Sequence, residues 1–320
     1  MVLPIPASGR PRIMHRLTRD IGYIDLRFQE QPEVIAAGVL HGNFGAAVVD
    51  PGPASTLATL EAELRRHGIG AADVRAILLT HIHLDHAGAT GAMVAKSPEI
   101  EVYVHAAGTR HMVDPARLIA SAHQIWGDEL EQLWGEFKAV PHANLRSLNG
   151  GERIRIGERE LEVAYTPGHA RHHVSYFDRG SGIAFVGDTA GIRVGPVPYV
   201  LPPTPPPDVD VEAWRKSVEA IERWRPDTLF LTHFGPHTDS VNHLRTFVEH
   251  LDELAEIARR IITRDSNEDG LSQFVAEVAT LLRQRLPETT ARHYEDAAPL
   301  RMCWLGLERY WKKQGVGGEA

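Results

Sequence analysis

The sequence is poor in cysteine, with Cys303 as the only thiol in 320 residues. One cysteine cannot form an intrachain disulfide, nor can it supply the several thiolates of a cysteine-rich zinc site. Long apolar runs are also missing, because no stretch approaches the roughly 18 apolar residues that a transmembrane helix needs. The N-terminal residues 1–17 contain three prolines and lack an apolar signal core. These absences predict a cytoplasmic protein without a membrane partner.

An excess of positive charge is absent as well. The chain has 34 lysines and arginines against 42 aspartates and glutamates, which gives a formal net charge of -8. This balance disfavours nucleic acids and anionic membranes as partners. A hydrophobic fraction of 43% and a charged fraction of 24% are typical of a globular protein that buries a sizeable core.

Short apolar strands alternate with helical segments over residues 1–240, in two strand-rich halves. Apolar periodicity predicts helices over residues 55–67, 86–96 and 211–224. Strands are predicted over residues 21–28, 34–40, 46–49, 74–79 and 101–104, and then over 153–156, 161–165, 174–177, 183–186 and 228–231. This order predicts an α/β (α+β) domain in which strand-rich layers carry helices on their outer faces.

From about Leu244 onward the pattern is helical, so residues 241–320 are predicted to form a C-terminal helical extension packed on the domain of residues 1–240. The segment 265–270 resembles the start of a calcium loop, but Ala276 stands where the bidentate glutamate is needed. We expect a capped turn there. The aromatic residues Trp304, Tyr310 and Trp311 are expected to serve packing or a homodimer contact.

The densest chemical signal lies directly after the buried strand of residues 74–79. His81, His83, Asp85 and His86 fall within six positions, and His81 and His83 project to the same side if the chain stays extended. Asp85 and His86 can open the following helix. Imidazole and carboxylate ligands suit zinc or another first-row metal such as iron or manganese. The sequence therefore predicts a metal site.

Three further potential ligands follow other predicted strands. They are His169, Asp188 and His233, each a few residues beyond a strand end. Loops at one edge of a layered domain often converge on a single site. Together with the first cluster, these residues favour one shared metal centre.

The pattern His81-x-His83-x-Asp85-His86 resembles the signature of the metallo-β-lactamase-fold hydrolase superfamily, and the resemblance covers about residues 20–240. The later family ligands match His169, Asp188 and His233 in order. The resemblance implies a four-layer αββα sandwich and two divalent metal ions, most simply zinc. It also implies that His81, His83 and His169 bind one ion, that Asp85, His86 and His233 bind the other, and that Asp188 bridges them.

Two such ions, about 3.5–4 Å apart, can share a hydroxide that attacks a carbonyl or phosphoryl centre. Asp85 is then expected to have a catalytic role as well, by holding the nucleophile and taking up a proton. Asp50 and Thr80 are candidates for contacting the outer nitrogens of the ligating histidines. A plain turn role for Asp50 is an equally open alternative.

Within the superfamily, the segment ending in Gly168-His169 is similar to the glyoxalase II and lactonase-like branch. His173 matches a second histidine of that pattern, whereas Arg171 and His172 depart from it. No tyrosine-bearing motif accompanies His233, which argues against glutathione thioesters. We expect hydrolysis of a small ester, thioester or lactone.

Two residues are predicted to contact that substrate. Tyr199 lies in the proline-rich segment 194–207, which could overhang the metals, and His237 lies four positions beyond His233. The alternatives for the segment are a proline-stiffened surface connection and a partner-binding segment of the PxxP kind. The alternative for His237 is a solvated loop histidine.

Two other enzyme classes use the same residues. A mononuclear iron oxygenase of the persulfide dioxygenase type needs only His81, His83 and His169. A phosphodiesterase or nuclease would use both metals, but it would need a basic groove. A non-enzymatic metal-binding scaffold would leave the metal pair idle.

Overall fold

The structure is a computed structural model and describes residues 14–195, 197–264 and 269–317. Two β-sheets lie face to face between layers of helices, as the sequence predicted. The first sheet has the strand order β1-β2-β3-β4-β5-β6-β7. Its strands are β1 (Met14–Arg16), β2 (Ile21–Asp25), β3 (Ala36–Gly42), β4 (Gly45–Val49), β5 (Val74–Leu78), β6 (Glu101–His105) and β7 (Leu145–Leu148).

The second sheet has the order β13-β12-β11-β10-β9-β8. Its strands are β8 (Arg153–Ile156), β9 (Arg159–Tyr165), β10 (Val174–Asp178), β11 (Ile183–Phe185), β12 (Thr228–Leu231) and β13 (Gly235–His237). The pairs β4–β5, β5–β6 and β6–β7 of the first sheet and β11–β12 of the second are parallel, and helical segments connect their strands. The other neighbouring strands in each sheet are antiparallel.

The helices lie outside the sheets and in the C-terminal extension. They are α1 (Leu57–Arg66), α2 (Leu84–Ala87), α3 (Thr90–Lys96), α4 (Ala106–Val113), α5 (Ala116–Trp126), α6 (Leu130–Trp134), α7 (Val211–Trp224), α8 (Ser240–Thr263), α9 (Gly270–Arg285), α10 (Glu288–Ala297) and α11 (Leu300–Lys313). No helix in the described part of the chain is long and apolar enough to span a membrane.

Alternating side chains divide the core into three layers. In β4, Val48 faces the core beneath α1 and α3, whereas Val49 faces the core between the sheets. In β12, Phe230 points to the inter-sheet core and Leu229 to the core beneath α7 and α8. Strands covered on both faces are apolar throughout, which explains their continuous apolar runs. The αββα sandwich is confirmed.

The C-terminal helices continue the core beneath the second sheet. Trp214 of α7 and Leu229 of β12 belong to the same apolar cluster as Phe247 of α8 and Leu307 of α11. The extension therefore packs on the main domain through a shared core. In the segment 265–270, residues 265–268 lie outside the described residues, and Asp269 caps α9 by accepting a hydrogen bond from the Leu271 amide.

The single helix predicted over residues 86–96 is wrong, because α2 and α3 are separate. The Ala89 amide donates to the Gly52 carbonyl, and the Gly52 amide donates to the His86 carbonyl. Hydrogen bonds to the loop after β4 therefore take the place of bonds that would join α2 and α3 into one helix. At Gly88 a Cβ atom would lie 2.9 Å from Pro53 Cα, which leaves no room for a side chain. This close approach brings Asp50, at the end of β4, next to α2.

Candidate metal centre

The first metal-facing cluster is positioned by the end of β5. His81 and His83 lie in the loop that follows this strand, and the short helix α2 carries Asp85 and His86. The side chains of His81 and His86 are fully buried, while that of Asp85 is 24% exposed. Burying so many polar groups at one strand end is energetically unfavourable unless they share a partner.

Three side chains reach this cluster from the second sheet. His169 follows β9, Asp188 follows β11 and His233 follows β12, and all three are buried. The structure thus brings together all seven residues predicted as metal ligands. Their ligand atoms form three overlapping groups that could hold a metal ion: His81, His83 and His169; His81, His86 and Asp188; and Asp85, His86 and His233.

In the first group, three ring nitrogens surround one point. His83 Nδ1 lies 2.9 Å from His81 Nε2 and 2.9 Å from His169 Nε2. In the group of Asp85, His86 and His233, Asp85 Oδ2 lies 3.2 Å from His233 Nε2 and 3.7 Å from His86 Nε2. Nitrogen and carboxylate donors at these separations can converge on first-row divalent ions.

Asp188 faces both of these groups with different oxygens. Its Oδ1 lies 3.2 Å from His86 Nε2 and 3.7 Å from His233 Nε2, whereas its Oδ2 lies 3.3 Å from His169 Nε2. The carboxylate is therefore placed between the two groups.

The outer nitrogens of the histidines are held by oxygen atoms. His169 Nδ1 donates to the Pro203 carbonyl at 2.9 Å, and His233 Nδ1 donates to the Val34 carbonyl at 2.8 Å. His86 Nδ1 donates to Asp50 Oδ2 at 2.8 Å. With Nδ1 occupied in this way, Nε2 of each of these three rings faces the centre and would be the metal-binding atom, whereas His83 faces the centre with Nδ1.

Two buried atoms at the centre have no hydrogen-bond partner within the described chain: His86 Nε2 and Asp188 Oδ1. These two atoms lie 3.2 Å apart as an ion pair, but without the geometry of a hydrogen bond. A cation between them would satisfy both. The donor set and these two atoms therefore fit a metal centre.

Burial and mutual repulsion keep the group of His81, His83 and His169 neutral. Burial lowers the pKa of His81, and the neighbouring histidines lower it further. Burial and His169 lower the pKa of His83 to about 3. Burial also lowers the pKa of His169. Neutral imidazoles have free lone pairs, so these three side chains can bind a cation at neutral pH without first losing a proton.

The two carboxyl groups of the centre are negatively charged. Burial opposes ionisation of Asp188, but His86, His169 and His233 outweigh it and hold the pKa of this carboxyl well below its usual range. For Asp85 burial is likewise outweighed by His86 and His233, which lower its pKa. Two buried carboxylates in one centre favour positively charged ligands.

A sequence model of the metallo-beta-lactamase superfamily matches residues 32–233, which include all seven metal-facing residues. The chain belongs to the metallo-beta-lactamase superfamily. This match begins just before Val34 and ends at His233, so it leaves out helices α8–α11.

Several superfamily members are similar to the chain in sequence. It is 26% identical to the metallo-beta-lactamase fold-containing protein ST1585 of Sulfurisphaera tokodaii over 209 residues, which are 64% of this chain and 75% of the relative. It is 33% identical to a hydroxyacylglutathione hydrolase of Thermosynechococcus vestitus over 145 residues, or 45% of this chain. The chain spans less than half the length of that hydrolase, since the match covers 43% of it.

Solved superfamily structures share the fold at low identity. Protein TTHA1429 of Thermus thermophilus superimposes with a TM-score of 0.64 at 20% identity, covering 88% of this chain and 89% of that one. A beta-lactamase domain protein of Burkholderia ambifaria gives a TM-score of 0.61 at 18% identity, covering 94% and 90%.

Asp50 connects the superfamily site to both sheets. Its carboxylate, 1% exposed, accepts hydrogen bonds from the Thr80 amide and hydroxyl at 2.8 and 2.7 Å, and from the Thr232 hydroxyl at 2.8 Å, besides the bond from His86. Thr80 in turn accepts from His81 Nδ1 at 3.1 Å. The orienting contacts expected of Asp50 and Thr80 are present, and Asp50 is more than a turn residue.

Sequence reasoning did not find the role of His173. Its Nε2 accepts from the Asp188 amide at 3.2 Å, and its Nδ1 lies 3.0 Å from the Thr166 hydroxyl and 3.1 Å from the Thr189 hydroxyl. The imidazole therefore supports the backbone from which Asp188 projects. Its match to a second histidine in the family pattern was the available signal.

A cavity of about 1220 Å³ opens above the metal-facing residues. His83, Asp85, His169, Asp188 and His233 form its floor. Residues from four other stretches of the chain form its walls. They lie within residues 28–35, within residues 111–134, at the end of the proline-rich segment within residues 203–208, and in the extension within residues 289–303.

The substrate contacts predicted for Tyr199 and His237 are not found. Tyr199 is 5% exposed and packs against His250 and Tyr294 at centroid distances of 4.4 and 5.3 Å, away from the cavity. His237 lies on the edge strand β13 and stacks on His243 at 5.4 Å. Neither lines the cavity. The proline-rich segment does reach the cavity, but through Pro203–Pro207 rather than Tyr199.

Proposed function

We propose that this chain is a dinuclear metal-dependent hydrolase of small carbonyl substrates, which are esters, thioesters or lactones. The observation that carries the proposal is the position of Asp188, whose two carboxylate oxygens face two different groups of metal-facing side chains. Both groups lie on the floor of one cavity, so a bound substrate would meet them together.

His81, His83 and His169 would hold one ion, Asp85, His86 and His233 would hold the other, and Asp188 would bridge them. The nitrogen and oxygen ligands suit zinc, with iron or manganese as alternatives. When bound, two such ions supply Lewis acidity and bring the pKa of water towards neutrality.

Asp85 is the proposed acid–base residue. Its side chain is the most accessible of the carboxylates on the floor, at 24% exposed, and it lines the cavity. Its lowered pKa keeps the carboxylate ionised at neutral pH, and the oxygen that does not face His233 would take up a proton and return it to a leaving group. Asp50 would act through His86 by fixing the tautomer and orientation of its ring.

The hydroxyacylglutathione hydrolases among the relatives support a carbonyl reaction, because their name states hydrolysis of an acylglutathione. Their matches cover under half of their length, so the acyl and thiol groups of their substrates do not carry over directly.

The test is metal analysis of the purified protein together with a panel of esters, thioesters, lactones and phosphodiesters. We expect two divalent ions per chain and turnover of carbonyl substrates. The variant Asp188→Ala should lose at least one ion and nearly all turnover. The matched control is Asp208→Ala, which removes a cavity carboxylate that pairs with Arg171 and does not face the metal groups.

Unchanged turnover in Asp188→Ala would overturn the proposal. One iron per chain with oxygen uptake would indicate the oxygenase instead, and exclusive turnover of phosphodiesters would indicate a nuclease or phosphodiesterase.

A further inference from the structure

We propose that the natural substrate carries a large, uncharged and apolar group, such as a hydrocarbon chain or an aromatic ring, next to the reacting carbonyl. This inference rests on the proposed hydrolase function and deepens it, because it concerns the walls of the cavity rather than its floor.

The first wall is one face of α5. Leu118, Ala122, Ile125 and Trp126 line the cavity at a spacing of three to four residues, which places them on the same side of the helix. Ala122 is buried in the core beneath α1 and α3, and Leu118 and Trp126 pack against that core, whereas Ile125 is 36% exposed. The surface that these side chains leave open to the cavity is available to an apolar ligand.

Three aromatic side chains continue this wall. Phe28 stacks on Trp134 with ring centroids 5.0 Å apart and an interplanar angle of 16°, and Trp126 meets Trp134 edge-on at 5.4 Å. All three line the cavity. Because the rings are held by each other, they form a preorganised aromatic surface that suits an apolar ligand.

A second wall, formed by the proline-rich segment and the extension, also presents apolar side chains to the cavity. Pro203 and Pro205–Pro207 line the cavity, as do Ala297, Pro299 and Met302 from the C-terminal extension. These prolines have fixed backbones and no amide hydrogen to offer a ligand, so this wall also selects apolar groups.

Several charged side chains on the walls have protein partners. Arg171 lies 3.3 Å from Asp208, and Arg292 lies 2.8 Å from Glu288. Glu295 lies 2.6 Å from Arg283. Arg117, Glu33 and Asp296 also line the cavity, so the walls carry four carboxylates against three guanidinium groups. This balance favours a neutral ligand over a substrate such as a glutathione thioester, which carries carboxylates and an ammonium group.

The volume agrees with a long substrate. Ligand sites commonly enclose about 300–1,000 Å³, and this cavity measures about 1220 Å³. A small acyl group at the metals would leave most of the apolar wall exposed to water.

The experiment uses the full-length, metal-loaded protein and aryl esters of straight-chain acids from acetate to decanoate, below their aggregation concentrations. Burying one methylene corresponds to up to about fourfold in kcat/KM. We expect kcat/KM to rise about two- to fourfold for each added methylene. Binding of N-methylalkanamides of the same lengths, followed by tryptophan fluorescence, reports on the walls without turnover.

Two variants on α5 locate the effect. Ile125→Glu puts a carboxylate on the wall at a residue that is 36% exposed, so the fold tolerates it. We expect this variant to lose the dependence on chain length in both assays. The matched control is Gln124→Glu, which adds the same charge to the same helix at an exposed position that does not line the cavity. It should behave like the wild type.

The outcomes separate this inference from the proposed function. Amide binding that strengthens with chain length, without hydrolysis of any ester, thioester or lactone, would overturn the hydrolase function and leave the apolar site. Hydrolysis that is independent of chain length would overturn the apolar site and leave the hydrolase. Faster cleavage of an S-acylglutathione than of the matching thioester of an uncharged thiol would also overturn the apolar site.

Discussion

The floor and the walls of the cavity are built in opposite ways. Each histidine on the floor that donates from Nδ1 is held by a specific oxygen, such as the Val34 carbonyl for His233, and both sheets contribute. The walls present apolar side chains from α5, α6, Pro203–Pro207 and the extension, beside charged residues such as Arg171 that pair with other protein side chains. The extension lies beyond the residues matched by the superfamily model.

This difference indicates that the floor and the walls have separate roles, namely the reaction and the selection of the substrate. The metal-facing side chains depend on precise hydrogen-bond geometry and tolerate little displacement. They therefore lie at strand ends, which the sandwich holds in place. Selection of an apolar substrate depends on shape and area, which helices outside the sandwich can vary without disturbing the metal groups. Substitutions on the floor and on the walls should therefore differ greatly in their effects.

The largest effect is expected at Asp50, beneath the floor. Replacing it with alanine leaves buried donors on His86, Thr80 and Thr232 unpaired, so Asp50→Ala should lower the free energy of unfolding by about 3–5 kcal/mol and reduce metal content. Urea unfolding and metal analysis measure both. Thr232→Val removes one donor only and should lower stability by about 1 kcal/mol. Equal effects of the two variants would contradict the central role of Asp50.

A second prediction concerns His243 of α8, which contacts the backbone just after Asp188 on the floor. Its Nε2 donates to the Ala190 carbonyl at 2.8 Å, and its Nδ1 lies 3.3 Å from Arg193. Burial lowers its pKa to about 4, although the bond to Ala190 opposes this shift. Because the unfolded chain takes up the proton first, at about pH 6.5, the stability from this group is fully present above that pH. It is lost as the pH falls towards 4.

By about pH 5 this loss amounts to about 2 kcal/mol. The variant His243→Gln keeps a donor for Ala190 but does not titrate. The stability difference between wild type and this variant should therefore shrink by about that amount between about pH 7 and about pH 5, as measured by urea unfolding. A constant difference would show that His243 titrates normally.

The third prediction tests whether floor and walls are independent. Gly306 of α11 packs on the proline-rich segment so closely that a Cβ atom would lie 2.0 Å from the Thr204 carbonyl oxygen. Thr204 adjoins Pro203, whose carbonyl accepts from His169. Gly306→Ala should move this segment and weaken zinc binding about tenfold in competition with a chelator.

Glu308→Ala, on the same helix, is the control for Gly306→Ala. The Glu308 side chain pairs with Lys312 on the same helix rather than with the proline-rich segment, so zinc affinity should stay at the wild-type value. If Gly306→Ala also keeps that affinity, the extension shapes the walls alone.

The smallest effect is expected at the wall ion pair. Arg171 is 58% exposed and lies 3.3 Å from Asp208. Solvent screens such a pair, so Arg171→Ala should change the free energy of unfolding by less than about 1 kcal/mol and leave the metal content unaltered. Thermal unfolding and metal analysis check this. A loss comparable to that of Asp50→Ala would remove the distinction between floor and walls.

The floor could be predicted from the sequence because its signals are chemical. Histidine and aspartate at high density, as in residues 81–86, have few structural explanations, and His169, Asp188 and His233 each follow a recognisable strand. The partners of those residues were harder to predict. The carbonyl groups of Val34 and Pro203 have no sequence signature, since every residue carries the same group.

The walls could not be predicted for a different reason. An apolar helical stripe such as Leu118 to Trp126 has the same spacing whether it covers a core or a cavity. The position of Tyr199 in the sequence favours the cavity, yet its side chain packs in the core near Tyr294. The strands β1, β7 and β13 were also missed. All three are short edge strands, and strands of three or four residues carry little periodicity.

The contacts of Asp50 have a consequence for the order of events during biosynthesis. When residues 81–86 leave the ribosome, neither Asp188 nor the Thr232 hydroxyl that reaches Asp50 has been translated. The nascent first half therefore carries an incomplete centre with an under-coordinated carboxylate beneath it. The full set of metal-facing residues is therefore present only after His233 has emerged, so the centre is completed late, when the second sheet packs on the first.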